Sequence, residues 1–329
     1  MRSWRWLAGV VVLILLCYAV RQVNWTVAVA AMRHASIATL AVAILLNGAS
    51  LCLRSLRWWI FLRALGIGSF RLAVRGVILG CGVNNLFVAN GGEAARTVLV
   101  ARAARAPSAS VLATIAVERL FDPFCFGLLV VLGSFTIPLP PGLSGVRFLG
   151  VAVLLATAGM LIVLLRMHGT PRRPIPTHGW RHHVWMLRSQ ASGLATPRRF
   201  GAALLISTSV WLLQLAEYAV VASALGVSLP FAASVAAMIA INAGLVLRAT
   251  PGGIGYFEFA YAVAVSHFGL SADVAVATAL VIQMIEIIPV TIAALVVTLR
   301  MARPPQRASS LDGPLLAGAG TMISSGREP

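Results

Sequence analysis

The chain has 329 residues, of which 59% are hydrophobic and only 11% are charged, and its mean hydropathy is +0.91. This composition is typical of a protein embedded in a bilayer. It excludes a soluble enzyme with a single anchor, because no charged stretch between the apolar runs is long enough to bury its own core. The net charge is +17 and all 26 cations are arginine, which in a membrane protein predicts basic cytoplasmic loops and not nucleic-acid binding.

Apolar sequence begins close to the amino terminus. Residues 1–20 place Arg2 and Arg5 before an apolar stretch, which predicts an uncleaved first span, with a cleaved signal peptide as the alternative. Five further stretches carry no formal charge, and several are long enough to cross a hydrocarbon core of ~30 Å. They comprise residues 34–53, 123–146, 148–165, 200–216 and 218–247.

The segment 76–95 predicts a re-entrant hairpin. Arginines lie on both of its flanks, and Arg54 and Arg57 are also interpreted as cytoplasmic residues that follow the second span. If both flanks are cytoplasmic, the segment has to enter and leave on the same side of the membrane. Its glycines and asparagines interrupt a helix, and such irregular backbone is tolerated at membrane depth only when protein covers it or when it lines a wet cavity.

The remaining links predict that both termini lie in the cytoplasm. The basic loop 167–199 is expected inside, and the tail 303–329 is expected to be disordered and cytoplasmic. A second break at 248–255 lies within the apolar region 231–270, which forms either two crossings or a hairpin from outside, the hairpin being preferred. The predicted fold is an all-α polytopic membrane protein with six full spans and two opposed broken hairpins, covering residues 1–302.

The two breaks resemble each other, which indicates an inverted repeat of the kind found in transporters. Each has a pair of glycines followed by an acid: Gly91, Gly92 and Glu93 in the first, and Gly252, Gly253 and Glu258 in the second. Downstream, Glu118 follows Glu93 and Gln283 follows Glu258 at the same spacing.

The first residues of these helices predict a site for a lipid headgroup. Free N–H groups at a helix start bind phosphate or carboxylate, and glycine lets a ligand approach them. Glu93 could pair with an amine of the headgroup or simply complement the helix dipole. The candidate substrate-binding residues are Asn84, Asn85, Asn90, Gly91, Gly92, Glu93, Arg96, Arg248, Gly252, Gly253 and Glu258.

Charged residues in apolar sequence predict a network around this site, because ionisable groups in spans are functional candidates by default. Glu118 and Asp122 lie on one helix face and could carry protons or bind a metal, whereas Arg119 could neutralise Asp122 structurally. Gln283 and Glu286 complete the predicted network. The basic loop, with His182 and Trp185 in it, is interpreted as a surface that binds anionic lipid, and no metal site is predicted.

In order and combination, several motifs resemble the flippase-like membrane proteins related to the transmembrane domain of lysylphosphatidylglycerol synthase. The motifs are Leu53-Arg54-Ser-Leu-Arg57-Trp58, Asn84-Asn85, Gly91-Gly92-Glu93-Ala-Ala-Arg96, Glu118-Arg119-Leu-Phe-Asp122, and Pro251-Gly-Gly-Ile-Gly255-Tyr-Phe-Glu258 with Pro289. Two positions depart from the family: Gln283 stands where an Arg is common, and Ala89-Asn90 stands where Leu-Pro is usual.

The resemblance implies a bacterial inner-membrane protein that moves or exposes a polar lipid between leaflets. Lipid aminoacylation is not implied, because only a short tail follows the last apolar helix, and neither a cofactor nor an enzymatic activity is expected. Membrane lipids are the predicted partners, and a homodimer is an open alternative. Two other hypotheses remain: a membrane-embedded lipid or polyprenyl-phosphate transferase with Glu118 and Asp122 as metal ligands, and a scaffold subunit with no transport of its own.

Overall fold

The computed structural model describes residues 25–86, 91–136, 144–166, 194–245 and 251–302. These residues are almost entirely α-helical, and no strand occurs among them. The helices are α1 Trp25–Arg33, α2 Ile37–Arg63, α3 Phe70–Leu86, α4 Gly91–Ala104, α5 Ser108–Arg119, α6 Phe121–Thr136, α7 Ser144–Arg166, α8 Pro197–Ala224, α9 Phe231–Leu245, α10 Tyr256–Ser266 and α11 Ala272–Ala302, with a 3₁₀ turn at Pro251–Gly253. The predicted all-α architecture is confirmed.

Several predictions concern residues outside these ranges. Asn90, Arg248, the first predicted span, most of the basic loop and the C-terminal tail lie there. They stay predictions from sequence.

Four of the described helices are long and apolar enough to cross a membrane: α2, α7 from Arg147, α8, and α11 as far as Met301. Their outward faces carry large apolar side chains, including Leu45 on α2, Leu205 on α8 and Leu299 on α11. Such faces are stable against lipid tails and not against water. The chain is therefore a polytopic membrane protein, while the total of six spans and the re-entrant geometry remain predictions.

Local capping sets where the long helices begin. The Ser36 side chain accepts a hydrogen bond from the Thr39 N–H ahead of α2, and Thr196 does the same for Arg199 ahead of α8. Pro197 occupies the first turn of α8, where its missing N–H costs nothing. The sequence thus supplies a cap residue ahead of each of these two apolar helices.

Two short helix pairs flank the last long helix. Helix α3 packs on α4, and α9 packs on α10, so each predicted break joins two helices of a hairpin. Helix α11 packs against both α3 and α10. The end of α3 also contacts the Pro251–Gly253 turn, which brings the two breaks together.

Glycine permits the close packing of the first hairpin. A Cβ atom on Gly92 would overlap the Gly80 carbonyl oxygen, and one on Gly82 would overlap the Ala294 side chain. The α3–α4 crossing and the α3–α11 crossing are therefore too close for any larger residue. Small residues at such crossings are the usual way for membrane helices to approach each other.

The segment after the first hairpin is divided, and not the single helix expected from the sequence. Helix α5 ends at Arg119 and α6 begins at Phe121, with Leu120 between them. Pro123 lies in the first turn of α6, and because proline has no N–H it cannot continue the hydrogen-bond ladder. The division falls between Glu118 and Asp122, in the middle of the predicted charged cluster.

Arg54 and Arg57 do not follow the second span, as the arginine count suggested, but lie within it. Helix α2 continues to Arg63, and Arg57 is only 3% exposed. Counting charge alone places arginines in loops because an unpaired buried guanidinium is costly. Here the partners of Arg57 come from distant parts of the chain, which a local pattern does not show.

The close crossing at Gly92 gives a first testable prediction. Gly92→Ala adds a methyl group against a backbone oxygen, which no side-chain rotation can relieve, so we expect a loss of about 1–3 kcal/mol in stability. Gly48→Ala is the matched control, because no atom lies within 4 Å of the Cβ position at Gly48. The apparent Tm of each purified variant in nanodiscs measures the effect. Equal Tm values for the two variants would contradict this packing.

Candidate functional site

Arg57 binds two carboxylates from the α5–α6 joint. Its two terminal nitrogens lie 2.7 Å from Asp122 Oδ1 and 3.1 Å from Glu118 Oε1. One of them also donates to Ser207 Oγ at 2.7 Å. Three separate helices, α5, α6 and α8, are thereby fixed to α2.

The contacts extend to two more arginines. Arg96 on α4 pairs with the second oxygen of Glu118. Arg119 pairs with Glu93 and lies 3.4 Å from Asp122. We name this set the arginine–carboxylate network; it consists of Arg57, Arg96 and Arg119 with Glu93, Glu118 and Asp122. Three positive and three negative charges balance, which is the condition for holding so many ions in a low-dielectric interior.

Burial divides the network into a base and an edge. The side chains of Arg57, Glu118 and Arg96 are only 4%, 4% and 7% exposed. At the edge, Arg119 is 44%, Asp122 31% and Glu93 19% exposed. A ligand can therefore reach the edge without first breaking the pairs of the base.

Trp58 packs against the base of the network. Its ring lies under the Arg96 guanidinium, 4.1 Å from the ring centroid, and its indole N–H donates to Thr114 Oγ1 at 2.9 Å. The ring also fills the space that a side chain at Gly76 would occupy. Arg96 is thus held by a carboxylate and by an aromatic face, a combination that suits arginine better than lysine.

Three buried polar atoms of the network have no hydrogen-bond partner in the protein. They are Arg57 Nε, Arg96 Nε and Glu93 Oε2. Leaving a buried donor or acceptor unpaired costs about 1–3 kcal/mol. Two donors and one acceptor are thus available to a polar ligand or water that enters beside the network.

The two hairpin breaks meet beside α11. Asn84 Oδ1 accepts from the Gly92 N–H at 2.9 Å, which caps the start of α4. Gly252 has φ +60°, and a Cβ there would lie 3.4 Å from the Asn85 carbonyl oxygen and 2.9 Å from Ile287. Gln283 donates to the Gly252 carbonyl at 3.2 Å. The structure therefore places Asn84 and Asn85 of the first break next to Gly252 of the second.

The two acids of the sequence repeat have different partners. Glu93 contacts Arg119 on another helix, whereas Glu258 Oε2 accepts from the Gly255 N–H at 2.5 Å and caps its own helix. Gly253, with φ +73°, belongs to the same turn. The two repeat segments thus share a backbone break but not the contacts of their acidic side chains.

Three residues of the predicted charge network come together: Glu118, Arg119 and Asp122. Two residues of the predicted headgroup site, Arg96 and Glu93, pair with them. Gln283 lies instead at the second break. Glu286 lies at the α8–α11 interface, where it accepts from Gln214 Nε2 at 3.1 Å. Sequence reasoning missed Arg57 because it assigned this arginine to a loop after the second span, whereas helix α2 continues to Arg63.

The carboxylates of the network are engaged by arginine and not poised for a metal. Both Glu118 and Asp122 have an oxygen on Arg57. Among the residues that the structure describes, no group of three or more histidine, cysteine or acidic side chains could hold a metal ion. The two metal ligands that the transferase hypothesis proposes, Glu118 and Asp122, are paired with Arg57 in this structure.

Two adjacent tryptophans offer a test of the base. Trp58→Phe removes the hydrogen bond to Thr114 and weakens the face under Arg96, so we expect a loss of about 2–3 kcal/mol. Trp59→Phe is the matched control, because Trp59 also lies under an arginine, Arg63, and donates to a neighbouring oxygen, the Gly68 carbonyl, but is partly exposed and outside the network. Thermal unfolding followed by loss of monomer in size-exclusion chromatography compares the two. A larger loss in Trp59→Phe would contradict the assigned role of Trp58.

The comparisons with known proteins agree with this fold. Residues 5–294 match the family described as the lysylphosphatidylglycerol synthase TM region. A sequence comparison with curated proteins gave no match. The family match spans nearly all of the described helices and the whole network, and it supports a role in membrane-lipid metabolism or transport. The chain is a multi-pass membrane protein that belongs to the lysylphosphatidylglycerol synthase TM region family.

Proposed function

We propose that this protein is a flippase-like transporter, not an enzyme, that moves or exposes a polar phospholipid or glycolipid between the leaflets of a bacterial inner membrane. One observation carries the proposal: a balanced set of buried and accessible charges lies beside the first of two backbone breaks that contact each other in an otherwise apolar helical protein. Residues of this kind inside a membrane protein are costly and are retained for substrate pathways.

The edge of the network has the chemistry of a headgroup site. Arg119 is the most exposed cation of the network and can exchange Glu93 for a phosphate. Glu93 can in turn accept a hydrogen bond from an amine or a sugar hydroxyl through its unpartnered Oε2 atom. A ligand with both groups satisfies both partners, so separating the pair costs less than it would without a ligand.

Exchange at the edge also frees the first hairpin. The Arg119–Glu93 pair joins α4 to the α5–α6 joint. When a headgroup replaces this pair, α4 keeps its link to the base through Arg96 and Glu118. We infer that α4 then pivots about Arg96 while α2, α5 and α8 remain fixed by Arg57.

The second break supplies the other side of the path. Gly252 lies against the Asn85 backbone, so a movement of the first hairpin changes the contact between the breaks. Gly252, Gly253 and the neighbouring Arg248, predicted from sequence, would contact the headgroup after it passes the first break. Anionic lipid at the basic loop 167–199 and a cytoplasmic location of both termini are further parts of the proposal.

Exchange of fluorescent phospholipids in proteoliposomes, measured by quencher accessibility, tests the function. Glu93→Gln and Arg119→Gln are expected to slow exchange by about 10–100-fold, because each removes one charge-assisted contact to the headgroup. Arg75→Gln, an exposed arginine on α3 outside the network, is the matched control and should retain near wild-type exchange. Arg248→Ala tests the residue predicted from sequence alone.

Protein content and oligomeric state are matched across the variants before rates are compared. Wild-type exchange above that of protein-free vesicles, lost in the two edge variants, supports transport. No protein-dependent exchange for anionic, zwitterionic or glycosylated headgroups would overturn it. Normal exchange in both edge variants would overturn the assigned headgroup site.

A further inference from the structure

A second set of polar side chains lies in the other half of the molecule, at the interface of α8 and α11. Glu217 is 2% exposed and is located one helical turn after Gln214 on α8. Gln214 Nε2 donates to Glu286 Oε1 on α11 at 3.1 Å. Residues three positions apart lie on the same face of a helix, so Glu217 is on the side of α8 whose Gln214 contacts Glu286. Two carboxyl groups therefore share one apolar interface.

This pair differs from the arginine–carboxylate network because no cation contacts it. Arg54 on α2 is the nearby positive charge, and it is near Asp122 of the network as well. Among the described ion pairs within 4 Å, none involves Glu217, Glu286 or Arg54. Two ionised carboxylates here would leave a buried negative charge without a direct partner, which a protein interior does not hold.

Two buried polar atoms of adjacent residues on α8 lack a hydrogen-bond partner. Glu217 Oε1 is buried and has no hydrogen-bond partner. The Tyr218 hydroxyl also lacks a hydrogen bond of good geometry, although Gln214 is near it. The Tyr218 ring, 1% exposed, packs edge-on against Phe257 and Tyr261 of α10.

We propose that Glu217 and Glu286 form a proton-binding site that holds one proton between α8 and α11. The proton comes from water and moves onto a carboxylate oxygen of the pair, leaving one neutral acid and one carboxylate. The neutral acid has a hydroxyl to donate, and the remaining carboxylate has Gln214 and the positive potential of Arg54 for stabilisation. The remaining carboxylate and Arg54 then balance, so the protonated site carries no net charge.

The groups that face this site come from each element around it. Arg54 of α2 acts electrostatically on both carboxyl groups, Gln214 and Tyr218 come from α8, and Glu286 comes from α11. Tyr261 of α10 packs against Tyr218. Asn47 of α2 also donates to the Ile285 carbonyl at 2.7 Å, next to Glu286 on α11. Release of the proton leaves two like charges on α8 and α11, which favours separation of the two helices.

This separation would reach the lipid path, a step that rests on the proposed function. Helix α11 packs against the first hairpin and against α10 of the second. Gln283, one turn before Glu286, bonds the Gly252 carbonyl at the junction of the breaks. A proton that enters or leaves therefore biases the same junction that a headgroup has to pass.

Infrared difference spectroscopy of the full chain in nanodiscs tests proton binding directly. The carbonyl band of a protonated carboxylic acid is expected at neutral pH in the wild type and is expected to be lost in Glu217→Gln and in Glu286→Gln. Asp273→Asn, at the start of α11, is the matched control and should retain the band. Either glutamine variant alone suffices, so a folding defect in one leaves the test intact.

The outcomes separate this inference from the lipid function. If the wild type shows no such band at neutral pH, the proton site is overturned. If the band is present with a large organic cation but disappears when sodium replaces that cation, the site binds a metal ion and the proton site is likewise overturned. In proteoliposomes, a pH difference of about one unit should bias lipid distribution between leaflets by up to about tenfold for one proton per lipid. The band without lipid exchange supports the proton site while overturning the proposed function, and exchange that ignores the gradient overturns the coupling.

Discussion

The contact between Arg57 and the carboxylates of Glu118 and Asp122 determines the arrangement of the first half of the protein. A guanidinium that is almost fully buried in an apolar protein is tolerated when carboxylates balance its charge. The two terminal nitrogens of Arg57 are paired, and they reach the α5–α6 joint and Ser207 of α8. Arg57 lies within the last two turns of α2, so these contacts hold the joint, and with it the network, beside this end of the helix.

The first hairpin follows from the same constraint. Arg96 shares Glu118 with Arg57, so the start of α4 has to lie beside the joint. Glycine at position 92 lets α3 approach α4 closely enough for this, because a Cβ there would overlap the Gly80 carbonyl oxygen. The base of the network is thus rigid and buried, whereas its edge, with Arg119 and Glu93, is accessible. This division into a buried base and an accessible edge is what the proposed binding of a charged headgroup requires.

Sequence alone predicted much of this arrangement. Apolar length gave the long helices, and the glycine pairs gave both hairpin breaks, because those signals are local. The pairing of Arg119 with Asp122 was also visible, since the two lie one turn apart. The contacts of Arg57 were not visible in the sequence, because they join residues far apart in the chain. The arginine was therefore interpreted as a loop residue. Likewise, the matching acids Glu93 and Glu258 have different partners, and only tertiary structure reveals that difference.

A double-mutant comparison tests most directly whether the Arg57–Glu118 contact holds the network together. Arg57→Gln and Glu118→Gln each unbalance the buried charges, and removing one partner of a buried pair costs about 3–5 kcal/mol. The double variant restores balance, so its apparent Tm in nanodiscs should exceed that of at least the weaker single variant, with strong non-additivity. Destabilisations that simply add would contradict the account, because the two side chains would then act independently.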